Sequence, residues 1–182
     1  YVAFTVKNIA DTLIGMIPIS DKLFWPIVLD GKPVKLDFSA ENPILVEGSE
    51  INVKLMEARL ACKELDDAKK QIGDEYSKKA EEYNGDVPDS VVNAVRSRFD
   101  NLLKEEQETY KNIIDANKDN IIPVFMLSRS GSRLTTEYME EFLSNYLYSN
   151  HSSLAHLHHA IQGEKNNSVG SDLVDFDMKD IN

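Results

Sequence analysis

From Ile51 the apolar or small residues fall at Ile51, Leu55, Ala58, Cys62, Leu65, Ile72, Tyr76, Ala80 and Tyr83. These are steps of three, four or seven, which trace one face of a helix and leave the charges on the other. A second stripe follows at Val91, Val92, Val95, Phe99, Leu102, Leu103, Tyr110, Ile113 and Ile114. Between the stripes, Asn84 and Gly85 tolerate the left-handed backbone that ends a helix, and Pro88 with Asp89 suits the start of the next. Two long helices joined by so short a link lie side by side as an antiparallel hairpin. Gly48 breaks the chain ahead of them. Ser49 is the expected N-cap, its hydroxyl accepting from a first-turn N–H, and Glu50 adds negative charge near the positive helix end.

Ahead of Gly48 the pattern changes to short β-rich runs: 3–6, 12–19, 24–29, 34–38 and, after Pro43, 44–46. Asp30-Gly31 separates two of them and predicts a two-residue hairpin turn. That turn would set Leu29 opposite Lys32, Ile27 opposite Val34 and Trp25 opposite Leu36, so that Trp25, Ile27, Val34 and Leu36 share one face. Pro26 and Pro33 lack an N–H, which places the hairpin at a sheet edge or makes its strands bulged.

Beyond the second long helix, 121–128 predicts a short buried helix with Pro123 in its first turn, and 129–133 (Arg-Ser-Gly-Ser-Arg) a loop. Thr135 or Thr136, with Glu137, caps a further helix whose stripe is Tyr138, Met139, Phe142, Leu143, Tyr146 and Leu147. A last helix, 154–161, is closed by Gly163. The pattern predicts an α+β chain: a small antiparallel β-sheet over 1–47 and a helical region over 48–163 dominated by the long hairpin. A polar linker and the start of a further segment fill 164–182.

Composition narrows the functions. The 182 residues are 42% hydrophobic, enough for one core, and carry a net charge of −11 without a basic patch, which argues against a nucleic-acid partner. No run of about 18 apolar residues predicts a transmembrane span. The chain begins at Tyr1 and has no signal-type apolar region, as expected of a processed or trimmed fragment. Its one cysteine, Cys62, lies on the apolar stripe and reads as a small buried hydrophobe.

Candidate chemistry is sparse. His151, His156, His158 and His159 crowd together, and His156 with His159 share a helix face in a spacing able to chelate a metal, yet no cysteine or placed carboxylate completes a ligand set. Asp172, Asp175, Asp177 and Asp180 lack the glycine and terminal glutamate of a calcium loop. The 129–133 loop has the composition of a phosphate cradle but reads better as a solvent loop. Asp66-Asp67 and Glu105-Glu106 read as exposed carboxylates that keep the helices soluble. Tyr76, Tyr83 and Tyr110 read as core rather than as a ligand slot. No catalytic motif and no cofactor are expected from these residues.

Three features in order resemble a known family. Val28-Leu29-Asp30-Gly31-Lys32-Pro33-Val34-Lys35-Leu36-Asp37-Phe38, running to Leu45-Val46-Glu47-Gly48-Ser49-Glu50-Ile51-Asn52, resembles the end of the small β-rich domain that precedes the thioredoxin-like domain in exported bacterial thiol-disulfide oxidoreductases of the TlpA and AhpC/TSA type. Asn117-Lys118-Asp119-Asn120-Ile121-Ile122-Pro123 is similar to that family's approach to a short helix. Residues 169–182 look like the first strand leading into a thioredoxin fold. The resemblance implies a non-catalytic accessory region in the periplasm or cell envelope, ending before the Cys-x-x-Cys site. Such a region would position or dimerise its covalently linked thioredoxin-like domain, or shape access to it. The hairpin register and the resemblance together mark Trp25, Ile27, Asp30, Gly31, Val34, Leu36, Gly48, Ser49 and Asn52 for structure or interaction. The resemblance also implies initial strands ahead of this sheet, which is incomplete here unless residues 2–6 close it. Two alternatives stand beside it: a stand-alone envelope module gripping an extended peptide between the helices, and a metal-dependent enzyme built on the histidines.

Overall fold

The computed structural model describes residues 13–18, 24–38 and 43–167. The expected strand at 3–6, the acidic cluster from Asp172 and the thioredoxin-like tail lie outside the described residues. Two small antiparallel sheets and five α-helices make up the rest, an α+β architecture with the long helices packed against each other.

The first stripe folds as α1, Glu50–Glu82, and the second as α2, Asp89–Ala116. Asn84 (φ 52°) and Gly85 (φ 88°) both take the left-handed backbone, and the Gly85 N–H donates to the Ala80 carbonyl at 2.8 Å, closing α1 as the sequence predicts. α3 (Ile122–Ser130) is the predicted short buried helix, apolar on every side for most of its length, and the other helices wrap around it. Its Val124, Phe125, Met126 and Leu127 meet Leu55, Ala58 and Cys62 of α1, Tyr110 and Ile114 of α2, and Met139 and Leu143 of α4 (Thr136–Asn145) in one core. Leu157 and Ile161 of α5 (Ala155–Asn167) close it. A second, smaller cluster of Leu65, Ile72 and Leu102 holds the middle of the hairpin. Past Ile72 on α1 and before Leu102 on α2 no described residue is buried. At about 1.5 Å per residue the 33-residue α1 is roughly 50 Å long. Its distal part, with the start of α2, therefore forms an arm outside the core.

The β-region differs from expectation. β1 (Leu13–Pro18) pairs with β2 (Phe24–Leu29), with Ile14 opposite Val28 and Ile17 opposite Trp25, while β3 (Lys35–Asp37) pairs with β4 (Ile44–Glu47). No hairpin forms across Asp30-Gly31, so Ile27 does not face Val34, nor Trp25 Leu36. The physical reason is local. Only Gly31 takes a positive φ (80°), whereas the hairpin turn requires it at both central residues. The Asp30 carboxylate instead accepts from the Lys32 N–H at 3.2 Å, and Pro33 has no N–H to give a ladder. The turn redirects the chain, leaving Trp25 and Ile27 buried against α1 and Val34 and Leu36 half-buried elsewhere. The Arg59 guanidinium sits 5.6 Å from the Trp25 ring centre.

β2 is buried on both faces. Val28 turns its backbone polar groups away from β1, and the Asn52 side chain meets them: its Oδ1 accepts from the Val28 N–H at 2.8 Å and its Nδ2 donates to the Val28 carbonyl at 2.9 Å. One carboxamide thus stands in for a missing strand. Ser49 precedes α1 as expected, but its hydroxyl makes no cap bond and accepts from Asn52 Nδ2 at 3.1 Å instead.

Three further expectations change on the helical side. Residues 129–133 are not a loop; Arg129 and Ser130 end α3 and Gly131–Arg133 form a 3-10 turn. Leu147 lies past the end of α4 and is 75% exposed, because Tyr146 leaves the helix with an extended ψ of 131°. Gly163 does not close α5, which runs on to Asn167 while Glu164 accepts from Thr136 and Lys165 pairs with Glu140. Thr135 caps α4 as predicted, accepting from the Tyr138 N–H.

Gly131 is a packing requirement. A Cβ there would lie 2.6 Å from Leu157 Cδ2, a buried leucine with little room to retreat. Gly131→Ala is expected to destabilise the fold by about 1–2 kcal/mol through overpacking, read as a lower urea midpoint with unchanged slope. The tyrosines give a pH prediction. The Tyr146 hydroxyl donates to the Asn120 carbonyl at 2.7 Å and that of Tyr138 to Asp115 at 2.8 Å. Burial raises the pKa of both, and the Asp115 carboxylate adds to the effect at Tyr138. A folded pKa raised above the unfolded one gives stability that is complete below about pH 10 and is lost as pH rises beyond it. Alkaline denaturation followed by near-ultraviolet circular dichroism is expected to shift to higher pH in Tyr146→Phe.

Candidate functional site

α2 presents Leu102, Glu106, Tyr110 and Ile114 to the interior at steps of four, so a carboxylate occupies an apolar stripe. Glu106 is 1% exposed. Its Oε1 accepts from the Lys69 ammonium of α1 and, at 3.0 Å, from the Tyr110 hydroxyl, and lies 3.4 Å from the Arg133 Nε. Arg133 also donates to the Tyr110 hydroxyl at 3.1 Å and covers that ring. The expectation that Glu105 and Glu106 are both exposed therefore holds for Glu105 alone. The signal was available: a step of four from Leu102 to Tyr110 passes through residue 106.

The arrangement joins three elements. Lys69 brings α1, Glu106 and Tyr110 bring α2, and Arg133 brings the turn after α3, where the Gln107 side chain also donates to the Arg133 carbonyl at 3.0 Å. A buried charge removed from water needs such partners to be tolerated. All the contacts to Oε1 come from donors, which makes the cluster a clamp between elements. Arg133 is thereby committed to Glu106 and Tyr110, and Arg129 lies over the Phe125 ring, so the two arginines do not converge on a phosphate.

Immediately outward from Lys69 a cleft of about 290 Å³ opens along one side of the hairpin arm. Ile72, Gly73 and Tyr76 of α1 and Val92, Val95 and Phe99 of α2 line it, with Lys69 and Arg96. The other flank of α1 is charged, lined by Asp67, Lys70, Asp74, Glu75 and Lys78. There Arg98 reaches across from α2 to Glu75 at 2.5 Å, and its hydrogen bond lowers the Glu75 pKa. The arm is two-sided. Gly73 is its oddity, since a mid-helix glycine costs about 1 kcal/mol relative to alanine, and a Cβ here would meet nothing within 4 Å. Tyr76 and Tyr83 are exposed on this arm, and of the three tyrosines expected in the core only Tyr110 is there.

Gly48, Ser49 and Asn52 come together under Val28: a Cβ on Gly48 would lie 3.2 Å from the Asn52 Cβ and 3.0 Å from a Leu45 methyl. Trp25 and Ile27 lie on the same strand, whereas Asp30 and Gly31 form a peripheral turn and Val34 and Leu36 belong elsewhere. His156 and His159 are exposed on α5, the His158 ring bonds the Ser149 carbonyl at 2.8 Å, and no group of three or more His, Cys, Asp or Glu is placed to hold a metal among the described residues. Cys62 is buried, as expected, and desolvation raises its pKa, which disfavours the reactive thiolate. No described helix is long and apolar enough to cross a membrane. No family model, curated protein or solved structure matches the chain.

Proposed function

We propose that this chain is the non-catalytic accessory region of a cell-envelope thiol-disulfide oxidoreductase, an interaction scaffold that positions a thioredoxin-like domain following it and shapes access to that domain. The observation that supports this reading best is the two-sided hairpin arm, which leaves the core with an apolar cleft on one side and charges on the other. Such an exposed apolar strip on a rigid support is what protein docking uses. The family named in this reading is suggested by the resemblance of the ordered sequence features around Asp30-Gly31, Gly48 to Asn52, Asn117 to Pro123 and the tail from Val169. Cys62 suits a scaffold, being a buried thiol with no second cysteine beside it.

Peptide sequencing by mass spectrometry of the intact parent protein from its native source tests the reading. A Cys-x-x-Cys within about fifty residues after Asn182, inside a thioredoxin-like segment, is the expected result. A parent protein without one removes the oxidoreductase. The cleft between α1 and α2 then favours the second reading, a stand-alone envelope module that binds an extended apolar peptide there.

A further inference from the structure

We infer that the cleft side of the hairpin arm is a self-association surface, on which a second copy of this chain docks about a two-fold axis to make a four-helix bundle from two hairpins. This rests on the reading of the chain as an interaction scaffold and names the partner of that same surface.

A two-fold interface must be complementary to itself, so one patch has to carry both the projecting groups and the hollows that receive them. This patch carries both. Tyr76 and Phe99 project from it, 36% and 38% exposed. Between Lys69 and Tyr76 on α1, Gly73 leaves open space where any other residue would put a side chain. Within the monomer that glycine weakens the helix and fills no packing need; across a two-fold axis it becomes the socket for an aromatic ring.

Area and charge agree with this occupant. Tyr76, Tyr83, Phe99 and Leu103, together with the half-buried Val91, Val92 and Val95, leave on the order of 400 Å² of apolar surface on the arm. A standard interface buries about 800 Å² per partner, of which a little over half, about 450 Å², is apolar. The patch is therefore of the size that one half of a modest dimer needs. Arg96 lines the cleft and takes part in none of the ion pairs among the described residues. Asp89 and Asp100, two turns before and one turn after it on the same exposed helix, supply the opposite charge when two copies run antiparallel.

Sedimentation velocity of the full chain from about 1 to 300 μM tests this, the range in which a small interface reports. The expected result is a monomer that becomes a dimer with rising concentration. Gly73→Lys, which fills the socket with a better helix former, is expected to weaken the dimer at least about thirtyfold while far-UV circular dichroism stays unchanged or gains helix. Phe99→Glu, on an arm residue outside the core, is expected to do the same. A wild-type chain that stays monomeric throughout, or a dimer that neither variant weakens, overturns the inference. Either result leaves the oxidoreductase reading standing, since that is decided by peptides beyond Asn182.

Discussion

Asn52→Ala is expected to destabilise the protein by about 3–5 kcal/mol, enough to lower its melting temperature by roughly 10 °C. Asn52 is 4% exposed and Val28 is fully buried, so removing the carboxamide strands a backbone N–H and a backbone C=O where water does not reach. Each such orphan costs about 1–3 kcal/mol, and the shortened side chain leaves a small cavity as well. Asn52→Asp is the informative control. It keeps the shape and an acceptor for the Val28 N–H, but it sets a carboxylate oxygen against the Val28 carbonyl at the position from which Nδ2 now donates. Its loss is expected to match or exceed that of alanine. Thermal denaturation and urea titration of the two variants check both values; a loss below about 1 kcal/mol for alanine would show that the Val28 groups find other partners.

The second large effect is expected at Glu106. Removing one member of a buried ion pair costs about 3–5 kcal/mol when the remaining charge stays trapped. Here Lys69 retains 17% side-chain exposure and Arg133 42%, so both cations have a path to solvent. Glu106→Ala is accordingly expected at the lower end, about 2–3 kcal/mol, with part of it due to the cavity. Glu106→Leu, which completes the apolar stripe of Leu102, Tyr110 and Ile114, is expected to cost less than Glu106→Ala. Equilibrium unfolding of both variants decides the order. If leucine is the worse of the two, the cations are held by more than Glu106.

Periodicity made the helices legible. The long stripes, the Asn84-Gly85 stop and the Thr135 cap are local signals, and each is found where the chain predicts it. Strand pairing is not a local property, and there the sequence misled: Asp30-Gly31 marks a real turn, but the partner of each strand depends on which backbone groups remain free after Pro33 and after α1 covers β2. Asn52 was visible as part of a resemblance and invisible as a physical agent, since nothing in the chain tells an asparagine in a first turn to reach across to a strand. Glu106 and Gly73 share that character. Both break the local rule for their position, a charge in an apolar stripe and a glycine in mid-helix, and both are meaningful only once the facing element is known.

The turn at Asn84 and Gly85 also bears on how this chain can be handled. It lies at the far end of the arm, exposed, with no buried residue for some ten positions on either side. A break in the backbone there separates two pieces that both contribute to the main core, Val28, Leu55, Ala58 and Cys62 from the first and the larger share, with Tyr110, Ile114 and all of α3, from the second. The tip is thus the natural place to cut the chain or graft a reporter without touching the interior, and the two pieces are expected to find each other again after cleavage.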